Sequence, residues 1–174
     1  AVPFVRKYGI KGYRAPLIHL HDGGYEILAE FGFTFDSSIY GPFSMAGQHK
    51  GVEIVPISSY KLGKSKPEMR LPRHLSFSNM IGGGEFFYGA SYFVGLLGRR
   101  LRPFINLTNR RGDPAVVFLH NWQIYPPANA SFPPPGYLLS HPMYWPLTRN
   151  LEASMRLLLK EFTFARMSSF CKMR

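Results

Sequence analysis

Cysteine is nearly absent. The single Cys171 excludes an internal disulfide framework and any four-cysteine metal site, so metal chemistry here would need histidine and carboxylates. Acidic residues are also scarce: 10 Asp and Glu stand against 21 Lys and Arg, a formal net charge of +11. Such an excess favours anionic partners, whether nucleic acid, acidic glycans or an anionic lipid surface. No apolar segment has the length of a membrane span, and Ala1-Val2-Pro3-Phe4-Val5-Arg6-Lys7 lacks a signal peptide's order of charge followed by an apolar run. Missing too are an adjacent Asp pair, a His-x-x-x-His, a Gly-x-Ser-x-Gly elbow around Ser37 or Ser38, and the Lys-Ser/Thr that would make Gly82-Gly83-Gly84 a phosphate loop. The chain opens on Ala1 in place of an initiator Met, which suggests a fragment lacking its upstream portion.

What is present is a 174-residue chain, 45% hydrophobic, enough for one domain spanning 1–174 with a real core. Its basic residues are scattered. Lys61-Leu62-Gly63-Lys64-Ser65-Lys66 and Arg99-Arg100-Leu101-Arg102 are the clusters, and neither lies in a nucleic-acid module with interleaved aromatic platforms, so a solvated basic surface without a nucleic-acid partner is expected.

Strands and helices are expected to alternate. Lys11 to Arg14 reads as a short strand ended by Pro16, and Asp22 as the cap of a helix through about Phe31, with Tyr25, Leu28 and Ala29 at helical spacing and Gly32 as its stop. Phe33 to Ser38 follows as a strand. A strand, helix, strand unit with short loops predicts parallel α/β architecture. Val52 to Ile57 reads as a further strand that Pro56 demotes to an edge or bulge, and a helix is predicted from about Phe87 to Leu101, entered through Gly82-Gly83-Gly84. Arg110 to Pro114 is a turn, its Arg-Gly-Asp included, leading into a strand from Ala115 to Leu119 that is apolar throughout and expected to be buried on both faces. The prolines 126, 127, 133, 134 and 135 predict an excursion too stiff for a helix. Asn150 caps a helix with Leu151, Met155, Leu158, Leu159 and Phe162 on one face, Phe162 to Ala165 is a final strand, and Ser168 starts a short helix.

The stretch Ala115 to Pro126 carries the most information, because a buried strand delivers His120 into the polar, aromatic loop Asn121-Trp122-Gln123-Ile124-Tyr125. Upstream stands Gly12-Tyr13-Arg14-Ala15-Pro16. These two, with Gly32 to Ile39, Glu53 to Ser58, Gly82 to Phe87, Arg111 to Val116, Arg149 to Glu152 and Glu161 to Phe164, occur in the order seen in a subgroup of the NodB-homology polysaccharide deacetylases. The chain resembles the later, C-terminal portion of that domain. The resemblance implies an irregular (β/α) barrel, incomplete at its N-terminal side, and a metal-dependent hydrolase that removes N-acetyl groups from a polysaccharide or oligosaccharide. It also implies a divalent metal, zinc by expectation, held by an Asp and two His that would lie upstream of Ala1 in the missing segment of the same domain.

By the same resemblance, Arg14 matches the arginine that holds the base Asp ionised. The backbone N–H of Leu17 matches an oxyanion donor, at a position where many relatives carry an aromatic. His120 matches the general acid that protonates the leaving amine, Leu119 would line the acetyl-methyl pocket, and Trp122 would stack on a sugar face. The subgroup has Pro and then Trp-Glu after this histidine, where Asn121 and Gln123 stand here.

Several other readings stand beside these. The chain could be a noncatalytic glycan-binding or structural remnant of a deacetylase. His19 and His21 could form a two-histidine metal site with Asp22, against plain surface polarity. His49, His74 and His141 read as loop histidines without partner spacing, and Asp36-Ser37-Ser38 as a capping turn. Asn106-Leu107-Thr108 and Asn129-Ala130-Ser131 fit a glycosylation pattern that matters only for a secreted eukaryotic product. The compartment stays open between cytoplasm and cell envelope.

Overall fold

The structure is a computed structural model and describes residues 7–62, 69–73, 77–125, 134–141 and 144–170. The chain is mixed α/β and divides into two compact units, Ala1–Phe87 with Ala165–Arg174, and Tyr88–Phe164.

The first unit is built on a strand, helix, strand motif. Strand β1 (Gly12–Tyr13) pairs in parallel with β2 (Phe35–Asp36), and helix α1 (Asp22–Glu30) connects them. Tyr25 and Leu28 of α1 are buried as their spacing predicts, and Gly32, at φ 79°, supplies the left-handed residue that ends the helix. β2 also pairs in parallel with β5 (Val52–Ile54), and β4 (Gly47–His49) closes the sheet antiparallel to β5. Tyr25, Leu28, Ile39, Met45, Val52 and Ile54 form the core on which α1 and this sheet meet.

The single strand expected from Val52 to Ile57 is two strands. Pro56, lacking an N–H, interrupts the ladder, and β6 (Ile57–Ser58) leaves the first sheet to pair in parallel with β3 (Tyr40–Gly41). A third small sheet joins β7 (Tyr60–Lys61) to β8 (Glu85–Phe86), after the short helix α2 (Phe77–Ile81). Beneath it, Glu85 accepts hydrogen bonds from Ser59 Oγ (2.5 Å) and Arg73 Nη2 (2.5 Å), while Arg73 Nε donates to Tyr40 O (2.7 Å). Burying this pair is tolerable because both carboxylate oxygens are satisfied. Among the described residues none of the small sheets closes into a barrel.

The second unit is helical. The helix expected from Phe87 to Leu101 is shorter: α3 (Ser91–Leu97) stops at Gly98, whose φ of 52° is left-handed, and a 3-10 turn from Gly98 to Leu101 follows. Pro103 then sits in the first turn of α4 (Arg102–Asn109), where its missing N–H is harmless, and this helix is absent from the sequence reading. Asn109 and Arg110 pass into the turn that contains Gly112 at φ 81°.

The strand expected from Ala115 to Leu119 is not formed. Phe118 N–H donates to Gly89 O (2.8 Å), but no ladder follows among the described residues, and only Val116 of the run is buried. The same holds for Phe162 to Ala165, which leaves α7 (Glu152–Glu161) without joining a ladder among the described residues, with Phe164 exposed. Short apolar runs carry no periodicity that separates strand from coil, so pairing decides, and neither run joins a ladder among the described residues.

Two further helices of this unit are α5 (Pro135–Ser140) and α6 (Trp145–Thr148). α5 starts on a proline of the stretch expected to be too stiff for a helix; Pro126, Pro127 and Pro133 lie outside the described residues, as do His74 and Asn129. The cap position of α7 is Leu151 rather than the expected Asn150, which precedes it and whose Oδ1 accepts from Glu152 N–H (2.8 Å). Leu151 and Leu158 are buried as expected, whereas Leu159 faces solvent. Helix α8 (Met167–Phe170) belongs to the first unit.

Candidate functional site

Arg14 and Leu17 lie in the first unit, and Leu119, His120 and Trp122 in the second. Arg14 follows β1, and the parallel register that sets Tyr13 against Asp36 brings Ser37 alongside it. Its Nε donates to Ser37 O (3.0 Å) and Nη2 to Ser37 Oγ (2.8 Å), so the guanidinium is aimed by the strand ends rather than left to solvent.

Behind it is a buried polar knot. Asp36 Oδ1 accepts from Ser38 Oγ (2.6 Å), and Oδ2 from Ser38 N (2.8 Å) and Tyr25 OH (3.2 Å), while Ala15 N–H donates to Ser38 Oγ (2.7 Å). Burial raises the Asp36 carboxyl above its ordinary range, opposed by the Ser38 hydrogen bonds, the Tyr25 hydroxyl and the Arg14 charge. Burial lowers Arg14, opposed by Tyr40 and Asp36, and pushes the Tyr40 phenol up to about 12. Tyr25 is raised further, again first by burial, and so stays a donor to Asp36. The Asp36-Ser37-Ser38 turn therefore does more than cap: it buries a carboxylate and fixes Arg14.

Pro16, Leu17 and Ile18 make a tight turn in which Leu17 (φ 56°) and Ile18 (φ 54°) are both left-handed. For a β-branched residue such as Ile18 this is a strained conformation, on the order of 1–3 kcal/mol. Ile18 N–H bonds Ala15 O (3.0 Å) and His19 N–H bonds Pro16 O (3.2 Å). The turn holds Ile18 buried and Leu17 93% exposed, so the apolar Leu17 side chain packs on almost nothing.

His19 and His21 do come together, Nε2 to Nε2 at 3.2 Å, on the surface. Asp22 does not join them. Its Oδ1 meets His49 Nε2 (2.7 Å) and its Oδ2 meets Lys50 Nζ (2.6 Å), which together hold its carboxyl below the ordinary range. His49 thus lies on β4 and has a partner, a correction to its reading as a loop histidine. Among the described residues no group of three or more His, Cys, Asp or Glu is arranged to hold a metal ion.

In the second unit His120 stands just before a 3-10 turn, Asn121–Gln123. Its ring stacks on Trp122 (centroids 4.0 Å apart, 9° between planes) and meets the Phe118 ring edge-on (4.9 Å). The imidazole is half-buried, Trp122 is 41% exposed, and burial lowers the histidine below its ordinary value. Leu119, the preceding residue, is half-buried.

Gln123 was legible only as a departure from the subgroup's glutamate. Its side chain is 1% exposed. Oε1 accepts from His120 N–H (2.9 Å), while Nε2 donates to the carbonyls of Ser91 (3.4 Å) and Pro146 (3.3 Å). Leu151 N–H bonds Gln123 O (2.6 Å), so one residue ties His120 to α3, α6 and the start of α7. An amide suits this position because it accepts on one side and donates on the other; a carboxylate would face two carbonyl oxygens.

The chain matches no family model, no curated protein and no solved structure.

Proposed function

We propose that this chain is the later part of a hydrolase that removes N-acetyl groups from sugar units of a polysaccharide. The observation that carries the proposal is the fixed, half-exposed imidazole of His120, clamped between the Phe118 edge and the Trp122 face and pinned through its backbone by Gln123. A proton-transfer group needs such restraint together with access. Arg14 adds support: its guanidinium is aimed by Ser37, and the strained, exposed turn at Leu17 follows directly.

In this reading water adds to the amide carbonyl, the Leu17 N–H stabilises the oxyanion, and Arg14 keeps the base carboxylate ionised. As the C–N bond breaks, His120 gives a proton to the leaving amine and acetate departs. Burial disfavours the charged imidazolium and so lowers the proton affinity of His120 in the folded chain. Leu119 lines the space for the acetyl methyl and Trp122 stacks on a sugar ring. Among the described residues no group of three or more His, Cys, Asp or Glu is placed to hold by itself the divalent metal that the family resemblance implies.

The test is acetate release from N-acetylglucosamine oligomers by the protein made from the complete reading frame in which this chain lies. Replacing His120 by Ala is expected to lower the rate by about 100-fold or more. An unchanged rate would remove His120 from the chemistry, and no release by the wild type would favour a noncatalytic glycan-binding role.

A further inference from the structure

Arg99, Arg100, Arg102 and Arg110 line a cleft of about 640 Å³ in the second unit, with Pro103, Asn106 and Leu107 as its remaining wall. Their spacing explains the convergence, because positions 99, 102–103, 106 and 110 recur every three or four residues and share one face of the 3-10 turn and α4. Arg102 pairs with Glu161. Arg99, Arg100 and Arg110 are exposed and have no acidic partner among the described residues. Arg99 and Arg100 also line an adjoining cleft of about 560 Å³, which adds Arg149. That arginine is already anchored, donating to Gly95 O (3.1 Å) and Leu96 O (3.2 Å) beside the Trp145 ring.

Unpaired guanidinium groups facing one space repel one another until an anion bridges them, and their planar forks match the oxygens of phosphate and sulfate. The cleft volume falls in the range of small-ligand sites. Its wall offers an apolar patch at Pro103 and Leu107 for a ring face and the Asn106 amide for hydroxyl groups. Neither cleft is lined by an aromatic side chain on which a base could stack, which disfavours single-stranded nucleic acid. We propose that this cleft binds a sugar carrying several phosphate or sulfate groups. The inference stands whether or not the chain belongs to a deacetylase.

Calorimetric titration of the whole chain with sucrose octasulfate tests it, beside tripolyphosphate and a single-stranded oligothymidylate. The sugar is expected to bind tightest. Replacing Arg99, Arg100 and Arg110 together by Ala should weaken its binding by about a hundredfold, and replacing all three by Lys by about tenfold, since charge alone does not supply the fork. A control that removes three charges elsewhere, at Lys11, Lys160 and Arg166, should change it by about twofold or less. All six side chains are exposed, so unchanged melting will certify folding, with the Lys variant as the second reading if the Ala variant melts early. Equal losses in the control and the Ala variant would reduce the effect to net charge and overturn the site. So would no binding of the octasulfate, tighter binding of tripolyphosphate, or tighter binding of the oligonucleotide.

Discussion

The group that most repays attention at the residue scale is Gln123, because it stands where the subgroup resembled by the sequence has a glutamate. Substituting Gln123→Glu restores that residue type but puts a carboxylate against the Ser91 and Pro146 carbonyls at a fully buried position. The expected outcome is a loss of about 3 kcal/mol in urea unfolding, through an uncompensated buried charge. His120 gives a second expectation. Its proton affinity is lower in the folded chain than its ordinary value of 6.5, so the unfolded chain binds more protons in the window below that value. Its contribution is present above about pH 6.5 and is lost as the pH falls through the lowered folded value. Unfolding curves of wild type and His120→Gln should therefore diverge from pH 7 to pH 5, the variant losing less stability. Parallel curves would mean that the imidazole is not desolvated. His120 was legible as a polar residue at the end of an apolar run and Arg14 only through the motif resemblance, whereas the holding roles of Ser37 and Gln123 became visible only when hydrogen bonds could be traced.

Among the elements, those with a strong local signal match their expectations and those without do not. The α1 pattern of Tyr25, Leu28 and Gly32, and the parallel pairing of the strands around it, follow from periodicity, a left-handed stop and a short connection. The runs Ala115–Leu119 and Phe162–Ala165 look like strands by composition, yet a strand is defined by its neighbour, and none is there among the described residues. α4 escaped notice because its polar, arginine-bearing face leaves few apolar positions, Ile105 being its buried residue. The packing of α3 against α6 supplies the element-scale prediction. A Cβ on Gly95 would overlap the Pro146 carbonyl, a backbone atom that cannot rotate away. Gly95→Ala should therefore destabilise by about 3 kcal/mol despite the better helix propensity of alanine, as read from the thermal midpoint. A neutral or stabilising effect would show that α3 and α6 pack more loosely than this.

For the molecule as a whole, charge is the dominant long-range term. At +11 the folded chain repels itself, so raising ionic strength from very low to physiological salt should increase Tm by a few degrees, on the order of 1 kcal/mol. A fall in Tm would indicate that attractive pairs such as Asp22–Lys50 outweigh the repulsion. Residue counts alone settled this excess of positive charge and the lack of a disulfide framework, and the order and local periodicity of successive segments settled the α/β character. Tertiary structure alone decided that Arg149 joins the arginines that local spacing already gathers. Arg149 is far from Arg99 and Arg100 along the chain, and only the fold brings it into a cleft with them. It likewise decided that Asp22 turns to Lys50 and His49 rather than to His19 and His21, and that the apolar run before His120 forms no strand among the described residues. Those outcomes rest on contacts between segments distant in sequence, where burial and pairing, not local preference, set the energy.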